Sequence, residues 1–561
     1  MSFFAVTIQP TAAWRFLQGC LAPVCCSGLA VGVVLGVLPG AVLAANSDVE
    51  LKVGIVQRFG EKPTDQITLQ ALAGDRLTLR FQSGNQSQTL VANSIKLDVQ
   101  MQSLPEPEVL ERVVLSTHRS FESAEDNANQ WRAQGIEVEI AQPNRWQVWA
   151  KRSVYNTPLL RRLLLQSLQT KGVQAVYLES KVIAQLPRAS WVVNGYRYTR
   201  DALDVSAGKG MVRVRESKEG SDRVYGGKFR LQPNTYKTYT LVNQVPLEVY
   251  LRGVVPHEIG LAAPTSAIAA QAVLARTYAL RNLRRFGVDE YELCADTQCQ
   301  VYWGLSGAAA KTDQAIAATQ GQVLTYQNEL VDAVYSSTTG GVTAPFHDVW
   351  NGWERPYLRA VVDSVSNVWD LQRSPLADEK NFRAFIKQRK GFNEEGWEMF
   401  RWQVKSSLPE LNQDLRNYLQ KNKSPLADFK TIQQMWVSER SPAGRVQKLT
   451  VKTDRGVVEL QKDNILIAFY APNSTLFYLD GLYGAGKVLQ GYAFVGGGFG
   501  HGVGLSQTGS YRLGQLGWSY DRILSFYYPG TQLQPISSRL TFWRDRFSLP
   551  PAPGKPGDFP K

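Results

Sequence analysis

The chain has 561 residues, of which 44% are hydrophobic, 20% charged and 11% aromatic; at roughly 100–200 residues per domain it holds two to four folding units. A mean hydropathy of −0.23 together with 14 Trp excludes disordered, collagen-like and polytopic membrane classes. Lys and Arg number 62 against 49 Asp and Glu, a net charge of +13 that favours polyanions or anionic surfaces as neighbours. No Arg/Lys-dense stripe interleaved with aromatics points to nucleic acid.

Arg15 precedes an uncharged run from Leu21 to Leu43, and Ala41-Val42-Leu43-Ala44-Ala45 supplies the small residues of a processing site. Residues 1–45 therefore read as a secretory signal cleaved near Ala44 or Ala45, which places the protein outside the cytoplasm, in the periplasm or cell wall. The alternative is an uncleaved anchor, the one reading that brings a membrane contact. Cys20, Cys25 and Cys26 fall in this leader, leaving Cys294 and Cys299 in the exported part. In an oxidising compartment, two cysteines four residues apart suit a disulfide, with half of a structural zinc site or free thiols as alternatives.

Residues 46–104 alternate apolar and polar side chains, as in Leu51–Val56 and Leu77–Phe81, and read as a small β unit. Pro105 and Pro107 mark a linker. Residues 105–182 then follow the order βαββαβ, with helices expected near Phe121–Gln134, where Ala124, Ala128 and Trp131 share a face, and from Thr157 to Lys171. This order resembles the SPOR domain, whose family binds peptidoglycan glycan strands lacking stem peptides; a generic ferredoxin-like spacer is the alternative. Strand character returns at 185–245. Between 366 and 447 the texture becomes charged and Trp-containing, and reads as a helical insertion in which Ser374–Asp378 and its repeat Ser424–Asp428 serve as helix caps. A Pro/Gly-rich tail closes the chain at 548–561.

The densest run is Val245-Pro246-Leu247-Glu248-Val249-Tyr250-Leu251-Arg252-Gly253-Val254-Val255-Pro256-His257-Glu258-Ile259-Gly260. The helix expected after it, from about 264 to before Gly287, carries Ile268, Ala272, Ala275 and Ala279 as an apolar stripe, with Gln271 and Tyr278 on another face. Downstream come Asp296–Gly304, Ala333–Thr343, Glu354–Leu358 and Gly500–Gly509. In this order, these segments resemble the stage II sporulation protein D / amidase enhancer (SpoIID/LytB) family over roughly 225–365 and 450–535. The expected fold is a multidomain α+β protein in which a mixed, β-rich SpoIID-type domain, 185–365 and 448–535, is interrupted by the insertion and preceded by the small βαββαβ module.

The resemblance implies peptidoglycan remodelling, with glycan strands as partner and the sporulation-type members acting as lytic transglycosylases. The family's catalytic carboxylate falls on Glu258. Glu248 is the rival, read within an extended segment. One carboxyl suffices for this chemistry: protonated, it donates to the glycosidic oxygen; ionised, it takes the proton of the muramic acid 6-hydroxyl as an anhydro ring closes, so the flanking pair used in glycoside hydrolysis is not needed. Apolar Val254, Val255 and Ile259 are expected to raise its pKa. Arg276, Tyr278, Gln271 and Tyr302 occupy matching motif positions and are candidate sugar-binding residues. Ser336, Ser337 and Thr338 offer hydroxyls before Gly340 and Gly341, where the backbone can approach a ligand. His501, Ser506 and Gln507 follow a Gly-rich run without the Gly-Lys-Ser/Thr ending of a phosphate loop, which reads as a groove wall. Cys294 and Cys299 resemble in position a metal-binding segment of some sporulation-type members, but no His accompanies them. No cofactor is required, a structural zinc being the alternative to the preferred disulfide. Three functions compete: a glycan-cleaving enzyme, a non-catalytic enhancer whose further partner is an N-acetylmuramoyl-L-alanine amidase, and a purely structural wall-binding protein in which residues 105–180 supply all the affinity.

Overall fold

The computed structural model describes residues 49–173, 175–216, 222–537 and 539–540. The expected signal peptide and the Pro-rich tail lie outside them. The chain is a mixed α+β structure, rich in β, with 11 α-helices and six sheets among the described residues.

Strands with one apolar face cannot stand alone, and this decides the N-terminal part. Glu50–Phe59 pairs antiparallel with Tyr239–Pro246, Leu77–Ser83 with Leu203–Ala207, and Ile67–Ala71 with Met211–Glu216. Residues 46–104 therefore do not form a sheet of their own, as the sequence suggested. Their inward residues Leu51, Val53, Leu77 and Leu79 share one core with Leu203, Val205, Leu231 and Leu241.

Pro105 and Pro107 also sit differently from expectation, inside a continuous strand, Ser94–His118, that runs along Tyr177–Val193. The register of this ribbon shifts between Ser103 and Glu108, and such a bulge tolerates residues with no N–H to give to the ladder. Beyond it the strands are ordered Val138–Ala141, Trp146–Ala150, Ser94–His118, Tyr177–Val193. Two helices connect them. Phe121–Ala133 is capped by Ser120 and buries Phe121, Ala124, Ala128 and Trp131; Pro158–Thr170 is capped by Thr157.

The strand Tyr239–Pro246 ends at Pro246, where the chain turns directly into the helix Leu247–Ile259. Glu248 thus lies in a first helical turn and not in the extended segment expected for it. The β-branched residues disguise a helical period in which Leu247, Tyr250, Leu251, Val254 and Val255 are buried. The next helix, Thr265–Arg281, is buried at every position from Ala267 to Arg281. It lies between two cores: Ile268, Ala272, Ala275 and Ala279 face one, and Ala270, Val273, Leu274 and Tyr278 the other. The expected single stripe is half of what it buries.

The insertion is not purely helical. Glu379–Lys387 and Leu408–Lys421 are helices, but Trp402–Ser407 pairs with Leu489–Gly496, and Ile432–Arg440 with Val446–Thr453. Asp378 caps the first helix by accepting from the Asn381 N–H at 2.9 Å. The second copy of the repeat caps nothing; Ser424 closes a tight turn instead, its hydroxyl accepting from Leu426 N–H at 3.3 Å. No helix among the described residues is long and apolar enough to cross a membrane.

Candidate active site

Glu258 sits in the last turn of Leu247–Ile259, before Gly260 ends the helix. Three segments far apart in sequence converge on it. The loop after Cys294 turns back over the helix, and the Val301 N–H donates to Glu258 Oε1 at 2.7 Å. Gly253 permits this approach, because a Cβ there would stand 2.6 Å from the Gly304 carbonyl oxygen and from the Tyr302 ring. Tyr335–Ser336 pairs in parallel with Leu505–Ser506. That pairing turns the Tyr335 hydroxyl toward the carboxyl and brings Gln507 beside it, where the Gln507 amide donates to the Glu258 backbone carbonyl at 2.8 Å. Behind Tyr335, Gln300 Nε2 donates to its hydroxyl at 3.0 Å, and Tyr250 donates to Gln300 Oε1 at 3.2 Å.

The carboxyl is half-buried, and burial pushes its pKa up to about 7, against the lowering effect of the hydrogen bonds from Val301, Gln507 and Tyr335. None of the ion pairs among the described residues involves it. Arg252, the nearest cation in sequence, is taken by Asp313 through two contacts of 2.9 Å. Burial and the Arg223 charge hold His257 below its ordinary pKa, so it is neutral at pH 7. A carboxyl shielded from water, without a countercharge and fixed by directed donors can carry a proton near neutrality and give it up.

The other predicted residues divide between the site and its scaffold. Arg276 is fully buried and grips Glu248 through two contacts of 2.7 Å; it is placed as a strut and not at a sugar. Tyr302 is also fully buried, donating to Asn243 Oδ1 at 2.8 Å and packed on Tyr250 and Tyr225. Tyr278 lies behind the carboxyl with the Arg285 guanidinium over its ring. Gln271 is buried, its Oε1 facing Gln507 Nε2 at 3.5 Å. Ser506 caps the helix Gln507–Gln515 and donates to Glu394 at 2.5 Å. Thr339 and Gly341 donate to that same buried Glu394 through their N–H groups. Gly340 has φ 74°, and a Cβ on it would meet the Gly497 backbone at 2.7 Å; the Gly-Gly pair thus serves a close backbone crossing. Ser336 is buried and Ser337 half-buried, the Ser337 carbonyl accepting from Thr508 N–H at 3.1 Å. Thr338 bridges to Phe499. His501 accepts from the Val503 N–H at Nδ1, packs on Trp350, and is pushed down to about 4 by burial. Val301, Tyr335 and Gln300 were not predicted. Gln300 and Tyr335 lie inside motifs the sequence displays, whereas a backbone N–H carries no side-chain signal.

Cys294 and Cys299 are joined in a disulfide with Cα atoms 5.6 Å apart. Their surroundings do not fit a zinc ion: among the described residues no group of three or more His, Cys, Asp or Glu side chains converges. A cavity of about 800 Å³ lies elsewhere, against the helix Phe121–Ala133. Within its acidic lining, Glu125 is engaged by Arg284 and Asp332 by Arg355.

Residues 235–326 match the family described as stage II sporulation protein, and residues 344–504 match a domain of unknown function, DUF8618. The amidase enhancer of Bacillus subtilis is 31% identical over 307 residues, covering 50% of this chain and 40% of its own length. Stage II sporulation protein D of the same organism is 25% identical over 366 residues, covering 62% of this chain and 91% of its own. An uncharacterized protein of Brachyspira hyodysenteriae is 28% identical over 297 residues, covering 53% and 68%. The motif helix, the loop that reaches Glu258 and the helix Thr265–Arg281 all fall inside the matched stretch 235–326, so the part of the chain that builds the site is the part that matches the stage II sporulation protein family.

Proposed function

We propose that this chain is an exported peptidoglycan-remodelling protein that cleaves glycan strands as a lytic transglycosylase, with Glu258 as the single acid and base. The observation that carries the reading is the state of that carboxyl: half-buried, without a countercharge, raised to about 7, and held at one oxygen by the Val301 N–H. In its protonated form Glu258 donates to the glycosidic oxygen as the bond to the muramic acid C1 breaks. As a carboxylate it then accepts the 6-hydroxyl proton while that oxygen bonds to C1, so no water is consumed and the acid is restored. Donors already aimed at the carboxylate stabilise the charge that develops on it. The basic balance of the chain favours an anionic wall. The sheet order of the 105–182 module fits a SPOR-like glycan-binding role.

The name of the Bacillus subtilis relative, amidase enhancer, favours one second reading, a glycan-binding protein that accelerates an N-acetylmuramoyl-L-alanine amidase. Incubating the protein with peptide-stripped glycan strands separates the two. Anhydro-muramic ends that appear with wild type and vanish with Glu258→Gln support the enzyme. Identical traces from both, with acceleration of a purified amidase, support the enhancer.

A further inference from the structure

Three large rings stand exposed on segments linked to those that hold Glu258: Trp303 at 46%, Trp397 at 44% and Phe499 at 48%. Each is tethered to the site. The Trp303 ring lies 4.9 Å from that of His257, the residue before Glu258, with the Arg223 guanidinium 5.0 Å from it. Trp397 meets Tyr511 edge to face at 5.5 Å, and the Tyr511 hydroxyl donates to the carbonyl of Ile259, the residue after Glu258. Phe499 donates its N–H to the Thr338 carbonyl at 3.1 Å, three residues beyond Tyr335. The Met399 carbonyl draws the second and third rings together, accepting from Gly498 N–H at 2.9 Å and from the Thr338 hydroxyl at 3.4 Å.

Exposed aromatic rings packed on the segments that hold a half-buried carboxyl suit a ligand with apolar faces and polar edges. A pyranose ring is such a ligand: its axial C–H bonds form an apolar face, and its hydroxyls project at the rim. A protein partner calls for a contiguous apolar patch, whereas the polar side chains of His257 and Arg223 lie against Trp303. Trp397 and Met399 belong to the 366–447 insertion, outside the segment matched by the sporulation-protein family.

We infer that Trp303, Trp397 and Phe499 are stacking platforms for sugar rings of a glycan strand lying across Glu258, and that the inserted segment supplies one wall of the groove. The inference rests on the glycan reading above and assigns its sugar-contacting surface. The inserted segment is then part of the binding machinery.

The test measures binding of peptide-stripped glycan strands to the full chain carrying Glu258→Gln, so that cleavage does not intervene. Trp397→Leu, which keeps an apolar side chain but removes the flat face, weakens binding about tenfold or more, whereas Trp397→Phe stays within about threefold of the parent. Phe499→Ala gives a second, independent loss of the same order. Unchanged affinity in Trp397→Leu and Phe499→Ala, with unfolding temperatures equal to the parent's, overturns the inference. So does lost amidase acceleration with intact glycan binding, which assigns the rings to a protein. A parent that binds no glycan at all sinks the underlying reading as well, and is distinguished by the absence of any affinity to compare.

Discussion

Glu248 and Glu258 stand in the first and last turns of one helix, ten residues apart and both half-buried, but they differ in countercharge and in the end of the helix they occupy. Glu248 lies where unpaired backbone N–H groups favour negative charge, and both its oxygens accept from the buried Arg276. Glu258 lies at the opposite end, where unpaired carbonyls oppose negative charge, among side chains that exclude water and with no cation in contact. Burial with a countercharge makes the first an internal strut; burial without one makes the second an acid that titrates near neutrality. The same residue type in the same helix thus serves two purposes, and the neighbours alone decide which.

Four measurements break or sharpen this contrast. The largest effect is on cleavage: Glu258→Gln lowers the rate about a thousandfold, a typical range for loss of a positioned acid, while Glu248→Gln leaves an active, less stable protein. The reverse pattern would exchange the two assignments. Next in size, Arg276→Met leaves Glu248 buried beside an uncharged side chain and costs about 3–5 kcal/mol of stability in urea unfolding; a loss below about 1 kcal/mol would show that the pair is no strut.

The third concerns pH. Glu258 binds its proton more tightly folded, at about 7, than unfolded, at 4.5. Its burial therefore costs nothing below pH 4.5, and the penalty grows until pH exceeds the folded value. E258Q is accordingly more stable than wild type by about 2–3 kcal/mol at pH 8, with the gap closing below pH 4.5. Cleavage by wild type falls above pH 7, as the donor loses its proton. A pH-independent gap would remove the unpaired buried carboxyl from the argument. The smallest effect is remote: replacing Cys294 and Cys299 with Ser opens a short loop, costing about 2 kcal/mol. The same change loosens the segment that presents the Val301 N–H, so the basic limb of the rate profile moves to higher pH, because a bond favouring the carboxylate is weakened.

Much of the module 105–182 was legible, since Ser120 and Thr157 are local caps and Ala124, Ala128 and Trp131 declare a helical face over a few turns. The β layer was less so. Strands 50–59 and 239–246 meet across nearly the whole N-terminal part of the chain, and alternation tells a strand to find a partner without naming it. The helix Leu247–Ile259 was obscured by Val249, Val254 and Val255, whose β preference yields to the core formed by their neighbours. Glu258 was readable from its motif, but not the placement of Trp397, which the path of the insertion sets against Tyr511, nor that of Phe499, which its bridge to Thr338 sets.

By itself the sequence determined the resemblance to the stage II sporulation protein family, the order of motifs and the position of one carboxyl, because these depend on residue identity and short spacing. Only the tertiary structure decided that Arg276 is spent on Glu248, that Val301, Gln507 and Tyr335 close on Glu258, and that Trp397 of the insertion packs on Tyr511. Those are facts of charge and solvent exclusion, set by which distant segments displace water from a side chain, and no local pattern of residues encodes them.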